Sequence, residues 1–344
     1  MLLAVAVLGA GCGGQAAPEH VVSNEVGAGD RAVLRGAGST FAAPMVEEWA
    51  RRYRVGAPGV DIRYEASGSG AGLRLLPART AEFALSELPV PEQEQRQGAV
   101  QVPVLAGAVA VAYNLPGVAG LLLSEDTLAR IYSGEIRRWD AAAIKRDNPS
   151  RQLPSTAVTA VHRTDSSGST LAFTRYLATA GEIWRPGSHD VLEWPTGAGA
   201  VGSAGMLTTL TETAGAIGYL AAGAALDARL QVANLRNGGG QFVAPTPVAV
   251  DAALNGAVGY AENLTLSLPA TQESPTAYPI VVITHLVFLT GLAPPVDVAL
   301  RRFAGWILSE GQRAAAGLGF SPLPLPLVVR TLEGLQGGGI QPRR

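Results

Sequence analysis

The sequence predicts an α/β fold, because strand-like runs feed Gly/Ser-rich loops and helix-like stripes leave them at three separate places. Val33-Leu34-Arg35 runs into Gly36-Ala37-Gly38-Ser39-Thr40, and Phe41, Met45, Trp49 and Tyr53 follow at spacings of four, one stripe of a helix. Val60 to Tyr64 alternates like a strand, breaks into Ser67-Gly68-Ser69-Gly70-Ala71-Gly72, and resumes a helical pattern at Leu73 and Leu76. Val158 to Val161 feeds His162-Arg163-Thr164-Asp165-Ser166-Ser167-Gly168-Ser169-Thr170, which Leu171, Phe173, Tyr176 and Leu177 leave as a helix.

Each loop places backbone N–H groups and hydroxyls at a helix N-terminus, where the helix dipole favours negative charge. Taken singly, each is also an ordinary strand-to-helix turn with a Ser or Thr cap. Three together, with Arg163 adding a planar fork of donors, read as a seat for one small anion.

The length of 344 residues allows two or three domains with large cores. With 47% of residues hydrophobic, 16% charged and a net charge of -2, there is no basic footprint for nucleic acid, so an anion must be held by local hydrogen bonds. Residues 2–11 form a short apolar run closing at Cys12, the only cysteine, as a secretory signal with a lipoprotein-type end does. Export with a lipid anchor on Cys12 is therefore expected for segment 1–12, followed by a flexible tether at 13–30 that lacks periodicity.

Phe83 to Val90 reads as a buried strand delivering one carboxylate, Glu87, just before Pro89. A carboxylate facing an anion seat makes sense when the ligand carries a proton. Phosphate near neutral pH can donate a hydrogen bond to Glu87, and sulfate cannot.

Val102 to Tyr113 is an apolar run of the kind buried on both faces of a parallel sheet. Ser124 to Tyr132 is a capped helix with Glu125 and Asp126 in its first turn. Arg137 and Arg138 beside Trp139 read as a solvated end, and residues 235–247 as a long surface loop. Tyr278 to Phe288 is the most β-branched run and predicts a buried strand, with His285 as a core histidine. An amphipathic helix is expected from Ala299 to about Ala316, and a Pro-rich stretch with a Gly-rich tail closes the chain.

The G-x-G-x-x-G over Gly197 to Gly202 follows Pro195 rather than a strand, so it does not read as a dinucleotide site. There is no G-x-S-x-G or phosphate-loop motif, and His20, His162, His189 and His285 lack metal-ligand spacing. No catalytic residue, metal or cofactor is expected.

At this point the chain resembles a known family, the extracytoplasmic phosphate-binding proteins of the high-affinity phosphate ABC transporter (PstS type). The resemblance rests on Gly36 to Phe41, the Tyr64 to Gly72 loop, Ser86-Glu87-x-Pro89 and Tyr132-Ser133-Gly134-Glu135-Ile136-x-x-Trp139-Asp140. The Arg163 to Thr170 loop, Trp194-Pro195-Thr196-Gly197 and Gly215 to Tyr219 complete it. It implies a two-lobed, type II periplasmic-binding-protein-like fold, each lobe a mixed sheet flanked by helices, with the ligand in the interlobe cleft. Lobe I would be 31–105 plus 280–344, and lobe II 106–279.

Carried over position by position, the resemblance implies phosphate contacts from Thr40 (backbone and hydroxyl), the Phe41 N–H and the Ser69 hydroxyl. Arg163, oriented by Asp165, and the cap donors of Ser167, Gly168 and Ser169 complete the set, with Glu87 as proton acceptor where the family usually has Asp. Ser166 stands for a usual Gly, and Ser169 for a usual Thr. The implied partners are inorganic phosphate, the permease subunits of an ABC transporter, and the membrane through Cys12, with the protein a monomer and no nucleic acid bound. Two other readings stay open: a binder or sensor of another tetrahedral oxyanion, and a secreted phosphoryl-transfer enzyme using Ser167 or Ser169.

Overall fold

The computed structural model describes residues 32–256, 268 and 273–336. Segment 1–12 with Cys12, the tether at 13–30 and His20 lie outside the described residues.

The first three strands, β1 (Ala32–Gly38), β2 (Val60–Glu65) and β3 (Phe83–Ser86), run parallel in the order β2-β1-β3. Helix α1 (Ala43–Gly56) links β1 to β2 and buries Met45, Trp49 and Tyr53 of the stripe read from the sequence, together with Val46, while Phe41 of that stripe precedes the helix. Helix α2 (Ser69–Leu75) lies between β2 and β3, and the short α3 (Glu92–Arg96) follows β3.

The long apolar run becomes β4 (Ala99–Tyr113), buried almost throughout as expected, but its neighbours are antiparallel rather than parallel. The reason is its position. The first half of β4 pairs with β12 (Val281–Leu289) and the second half with β8 (Ala216–Ala221), so one strand serves both halves of the sheet. The expected division between residues 105 and 106 falls inside it.

Beyond β4 come β5 (Leu122–Leu123), α4 (Glu125–Tyr132) and α5 (Ala142–Asp147). Ser124 caps α4 by accepting from the Thr127 N–H, as its sequence predicts. Next are β6 (Thr159–Arg163), α6 (Gly168–Ala178), β7 (Ala198–Ala200) and α7 (Gly202–Glu212), with β8-β6-β7 in that spatial order and parallel. The glycines Gly197 and Gly199 thus flank or sit within an edge strand, not a loop cradling a dinucleotide.

Helix α8 (Ala222–Asp227) and β9 (Gln231–Val232) follow. The supposed surface loop at 235–247 instead carries β10 (Asn234–Arg236) and β11 (Phe242–Val243), which form a small sheet with β5. That pairing is between β5 and β10, over a hundred residues apart, and leaves no local sequence signal. Helix α9 (Pro247–Gly256) precedes the residues that are not described.

After β12, helix α10 (Pro294–Ser309) starts five residues earlier than Ala299, because Pro294 and Pro295 fit a first helical turn whose N–H groups have no partner. Short 3₁₀ turns follow. The Pro-rich end then opens α11 (Leu325–Gln336), a helix that its prolines conceal.

The functional consequence lies in the strand order. In β2-β1-β3 the chain leaves β1 first to one side and then to the other, and in β8-β6-β7 the same reversal occurs at β6. Open α/β sheets bind ligands in the crevice at such reversal points, beyond the carboxyl ends of the strands. Here both reversal points are occupied by the Gly/Ser loops.

Candidate anion-binding site

The three loops converge. Gly68 N–H donates to the Gly38 carbonyl at 2.7 Å, joining the first two. Gly70 N–H meets the Ser166 carbonyl at 3.4 Å, joining the second to the third. Gly38 is held at φ 122° with the Leu85 carbonyl 2.3 Å from where a Cβ would stand, which reserves that position for glycine.

Arg163 ends β6 and is only 3% exposed. Its Nε donates to Asp165 Oδ1 at 2.6 Å, and Nη2 donates to Oδ2 of the same carboxylate. Asp165 also accepts the Gly202 N–H at the start of α7, at 2.9 Å. Burial pushes the Asp165 carboxyl up, but the hydrogen bonds from Arg163 and Gly202, with the Arg163 charge, outweigh it and hold the group below its usual value. The guanidinium is therefore fixed in the plane set by Asp165, with Nη1 and one Nη2 hydrogen not used by that pair.

Arg163 is held from behind as well. Its N–H donates to the Tyr219 hydroxyl at 3.0 Å, and that hydroxyl shares a 2.8 Å hydrogen bond with Thr170 in the first turn of α6. Burial pushes the Tyr219 phenol up to about 12, so it stays a neutral hydroxyl. Tyr219 in turn stacks on Phe173 at 4.4 Å.

Glu87 directly follows β3 and is half-buried. Its Oε1 accepts the hydroxyls of Ser39 at 2.5 Å and Thr284 at 2.7 Å, and its Oε2 accepts that of Ser69 at 2.8 Å. The carboxylate faces the start of α6, since a Cβ on Gly168 would stand 2.3 Å from Glu87 Cβ and 3.0 Å from Oε2.

The remaining expected residues fall as follows. Thr40 turns its hydroxyl to Ser203 Oγ at 2.9 Å and accepts the Ser203 N–H at 3.2 Å. The Phe41 ring lies in the core against Phe320, leaving only its backbone for a ligand. Ser69 is buried beside Glu87, so its hydroxyl hydrogen goes to a carboxylate of the protein. Ser167 caps α6 by accepting the Thr170 N–H at 3.4 Å, and its own N–H donates to the Asp190 carbonyl. Gly168 and Ser169 form the first turn of α6, with Ser169 3% exposed.

Sequence reading missed Thr284, Ser203, Ser39 as a Glu87 partner, and Tyr219. Thr284, Ser203 and Tyr219 reach the site from elements outside the three loops, whereas Ser39 sits in the first loop, where the sequence marks its hydroxyl but not the carboxylate it meets. Ser166 donates to Asp190, tying the third loop to the segment after α6. His162, by contrast, stacks on Trp194 at 5.0 Å on the other face of β6, and burial lowers its pKa.

A curled mixed sheet whose two reversal points close on an Asp-oriented arginine and a hydroxyl-bound carboxylate defines a solute-binding protein, and the PBP superfamily domain matches residues 23–311. A phosphate-binding protein PstS of Xylella fastidiosa is 33% identical, covering 87% of this chain and 84% of its own. The PstS of Methanocaldococcus jannaschii is 32% identical, covering 82% and 79%. Among solved structures, a high affinity periplasmic phosphate-binding protein (PfluDING) bound with phosphate superposes with TM-score 0.73 at 22% identity, over 88% of this chain and 93% of that one. At that identity the superposition bears on the fold alone, a mixed α/β, periplasmic-binding-protein-like architecture. The chain belongs to the PstS-type family within the PBP superfamily.

Proposed function

We propose that the protein binds inorganic phosphate outside the cytoplasmic membrane and delivers it to an ABC permease for import. The observation that carries this reading is the buried Arg163 held by half-buried Asp165 in the loop that leads into α6, set opposite Glu87. A buried guanidinium partly neutralised by Asp165, with the N–H groups of a helix start beside it, attracts a small multivalent anion. A carboxylate across the cleft tolerates only an anion that brings a proton, which favours phosphate over sulfate.

Of the set Thr40, Phe41, Ser69, Glu87, Arg163, Asp165, Ser167, Gly168 and Ser169, Ser69 acts through Glu87, Asp165 through Arg163 and Ser167 as the cap of α6, and the others face the ligand. Charge-assisted hydrogen bonds contribute roughly 1.5–3 kcal/mol each, and micromolar affinity needs about 8 kcal/mol net. A handful of such donors is enough after ordering costs.

The two lobes, about 31–105 plus 280–344 and 106–279, close over the ligand and reopen at the permease. Lipidation of Cys12, with 13–30 as tether, would hold the protein at the membrane surface as a monomer. No described helix is long and apolar enough to cross a membrane.

A carrier is favoured over a phosphoryl-transfer enzyme by the surroundings of the serines. Ser167 is engaged in capping α6, and His162 is stacked on Trp194 with Nδ1 near the Arg163 carbonyl, so it is not placed to take a proton from Ser167 or Ser169.

The test is isothermal titration of the protein from Ala17 onward with phosphate, arsenate and sulfate, alongside an assay for phosphate-ester turnover. Saturable one-to-one phosphate binding with silent sulfate and no turnover is expected. Absence of any phosphate heat rejects the reading.

A further inference from the structure

The carboxylate of Glu87 has more partners within the protein than a ligand-facing acid needs. A carboxylate offers about four lone-pair directions, and three of these are filled by Ser39, Thr284 and Ser69. The direction of the Ser39 bond is settled by its second contact: its Oγ accepts the Ala42 N–H at 3.1 Å, so its hydrogen goes to Glu87. Glu87 thus acts as acceptor to the protein on both oxygens. The direction left over is on Oε2, the oxygen nearest the start of α6.

Thr284 is the unexpected member. It is fully buried in the middle of β12, outside all three loops. The register of β12 against β4 slips between Thr284 and His285: Thr284 pairs with Leu105 and His285 with Pro103. That slip leaves an extra residue in β4, whereas on the other side of β12 His285 pairs with Ser86 and Leu286 with Leu85 in regular antiparallel register, which continued by one residue puts Thr284 opposite Glu87. Here Thr284 Oγ1 comes to 2.7 Å from Glu87 Oε1.

We infer that Thr284 is a positioning residue for anion selectivity: with Ser39 and Ser69 it locks Glu87 so that a single acceptor direction faces the ligand, and that direction admits only an oxyanion carrying a proton. This rests on the phosphate reading above. Without Thr284, Oε1 regains a free lone pair and the carboxylate is free to turn. A fully ionised tetrahedral anion then no longer meets a fixed, unsatisfied negative charge.

The experiment compares wild type with Thr284→Val, which keeps the branched shape and removes the hydroxyl, and Thr284→Ser, which keeps the hydroxyl. Phosphate is titrated directly, and sulfate as a competitor against it, at one pH and salt concentration. Loss of one hydrogen bond to a charged group predicts that Thr284→Val narrows the phosphate-to-sulfate affinity ratio by about tenfold, while Thr284→Ser stays close to wild type. Should valine not be accommodated, Thr284→Ala reads the same ratio. A ratio unchanged in Thr284→Val, or one that falls equally in Thr284→Ser, overturns the inference and leaves Thr284 a packing residue. A wild type that binds no phosphate overturns the reading beneath it as well, whereas a selective wild type with an unchanged valine variant rejects Thr284 alone.

Discussion

Thr40, just beyond β1, and Ser203, in the first turn of α7, share a hydroxyl–hydroxyl hydrogen bond of 2.9 Å although 163 residues separate them. The Ser203 N–H adds a second bond to the same oxygen at 3.2 Å. These bonds join the two sides of the sheet at the mouth of the site, so they exist only while those sides are together. Removing the Ser203 hydroxyl in Ser203→Ala is expected to cost the closed arrangement about 0.5–1.5 kcal/mol. Small-angle scattering without ligand should show a larger radius of gyration, and phosphate affinity should fall by up to about tenfold. Unchanged scattering and affinity would show that this contact does not contribute to closure.

Gly168→Ala separates closure from folding. Position 168 opens α6 with an ordinary helical backbone, where Ala is favoured over Gly by up to about 1 kcal/mol. Yet the new Cβ would stand 2.3 Å from Glu87 Cβ across the site. Thermal unfolding without ligand is expected at an equal or higher temperature, while phosphate affinity drops. A variant that binds as tightly as wild type would contradict the close approach of Glu87 to α6.

Arg163→Ala removes the charged partner of a buried anion and should weaken phosphate binding by about 2–5 kcal/mol. Arg163→Lys should recover only part of this, because an ammonium cannot donate to Asp165 along two parallel bonds and still offer a planar fork. Calorimetry showing wild-type affinity in the alanine variant would remove Arg163 from the site.

Tyr219→Phe keeps the ring stacked on Phe173 but deprives the buried Arg163 N–H of its acceptor and Thr170 of its partner. An orphaned buried donor costs about 1–3 kcal/mol. Chemical denaturation should register that loss with an unchanged slope. If the stability is that of wild type, the phenol does not support the Arg163 backbone.

Asp165 gives the pH dependence. Its folded carboxyl is held below the usual value, so its contribution to stability is complete above the unfolded pKa of about 3.9 and is lost as pH falls through the lower folded value. Asp165→Asn should therefore be less stable than wild type near neutrality, and the difference should shrink as both are acidified below that range. A difference constant down to strongly acidic pH would mean the carboxylate charge is not what stabilises.

The loops themselves were legible in the sequence, because each is announced by a local change of period: alternation, then Gly and Ser, then a stripe of three or four. Arg163 and Glu87 could be singled out because a charge between an apolar run and a helix start has few structural uses. What could not be read was where their partners lie. Ser69 looked like a donor to a ligand, and the structure gives its hydrogen to Glu87. Thr40 looked the same, and its hydroxyl meets Ser203. The helix at 325–336 was hidden by the prolines ahead of it, and the pairing of β5 with β10 by the distance between them in the chain.

By itself the sequence determined the strand–loop–helix units, the buried character of β4 and β12, and the types of side chain at the site, since these depend on the period and chemistry of neighbouring residues. Only the tertiary structure decided that β4 runs antiparallel to its neighbours and serves both halves of the sheet, and that the pairing of β12 with β3 sets Thr284 opposite Glu87. Only the fold, too, joins Thr40 to Ser203. Such pairings are decided by which distant surfaces pack together, and a hydroxyl carries no mark in the chain of the carboxylate it will reach.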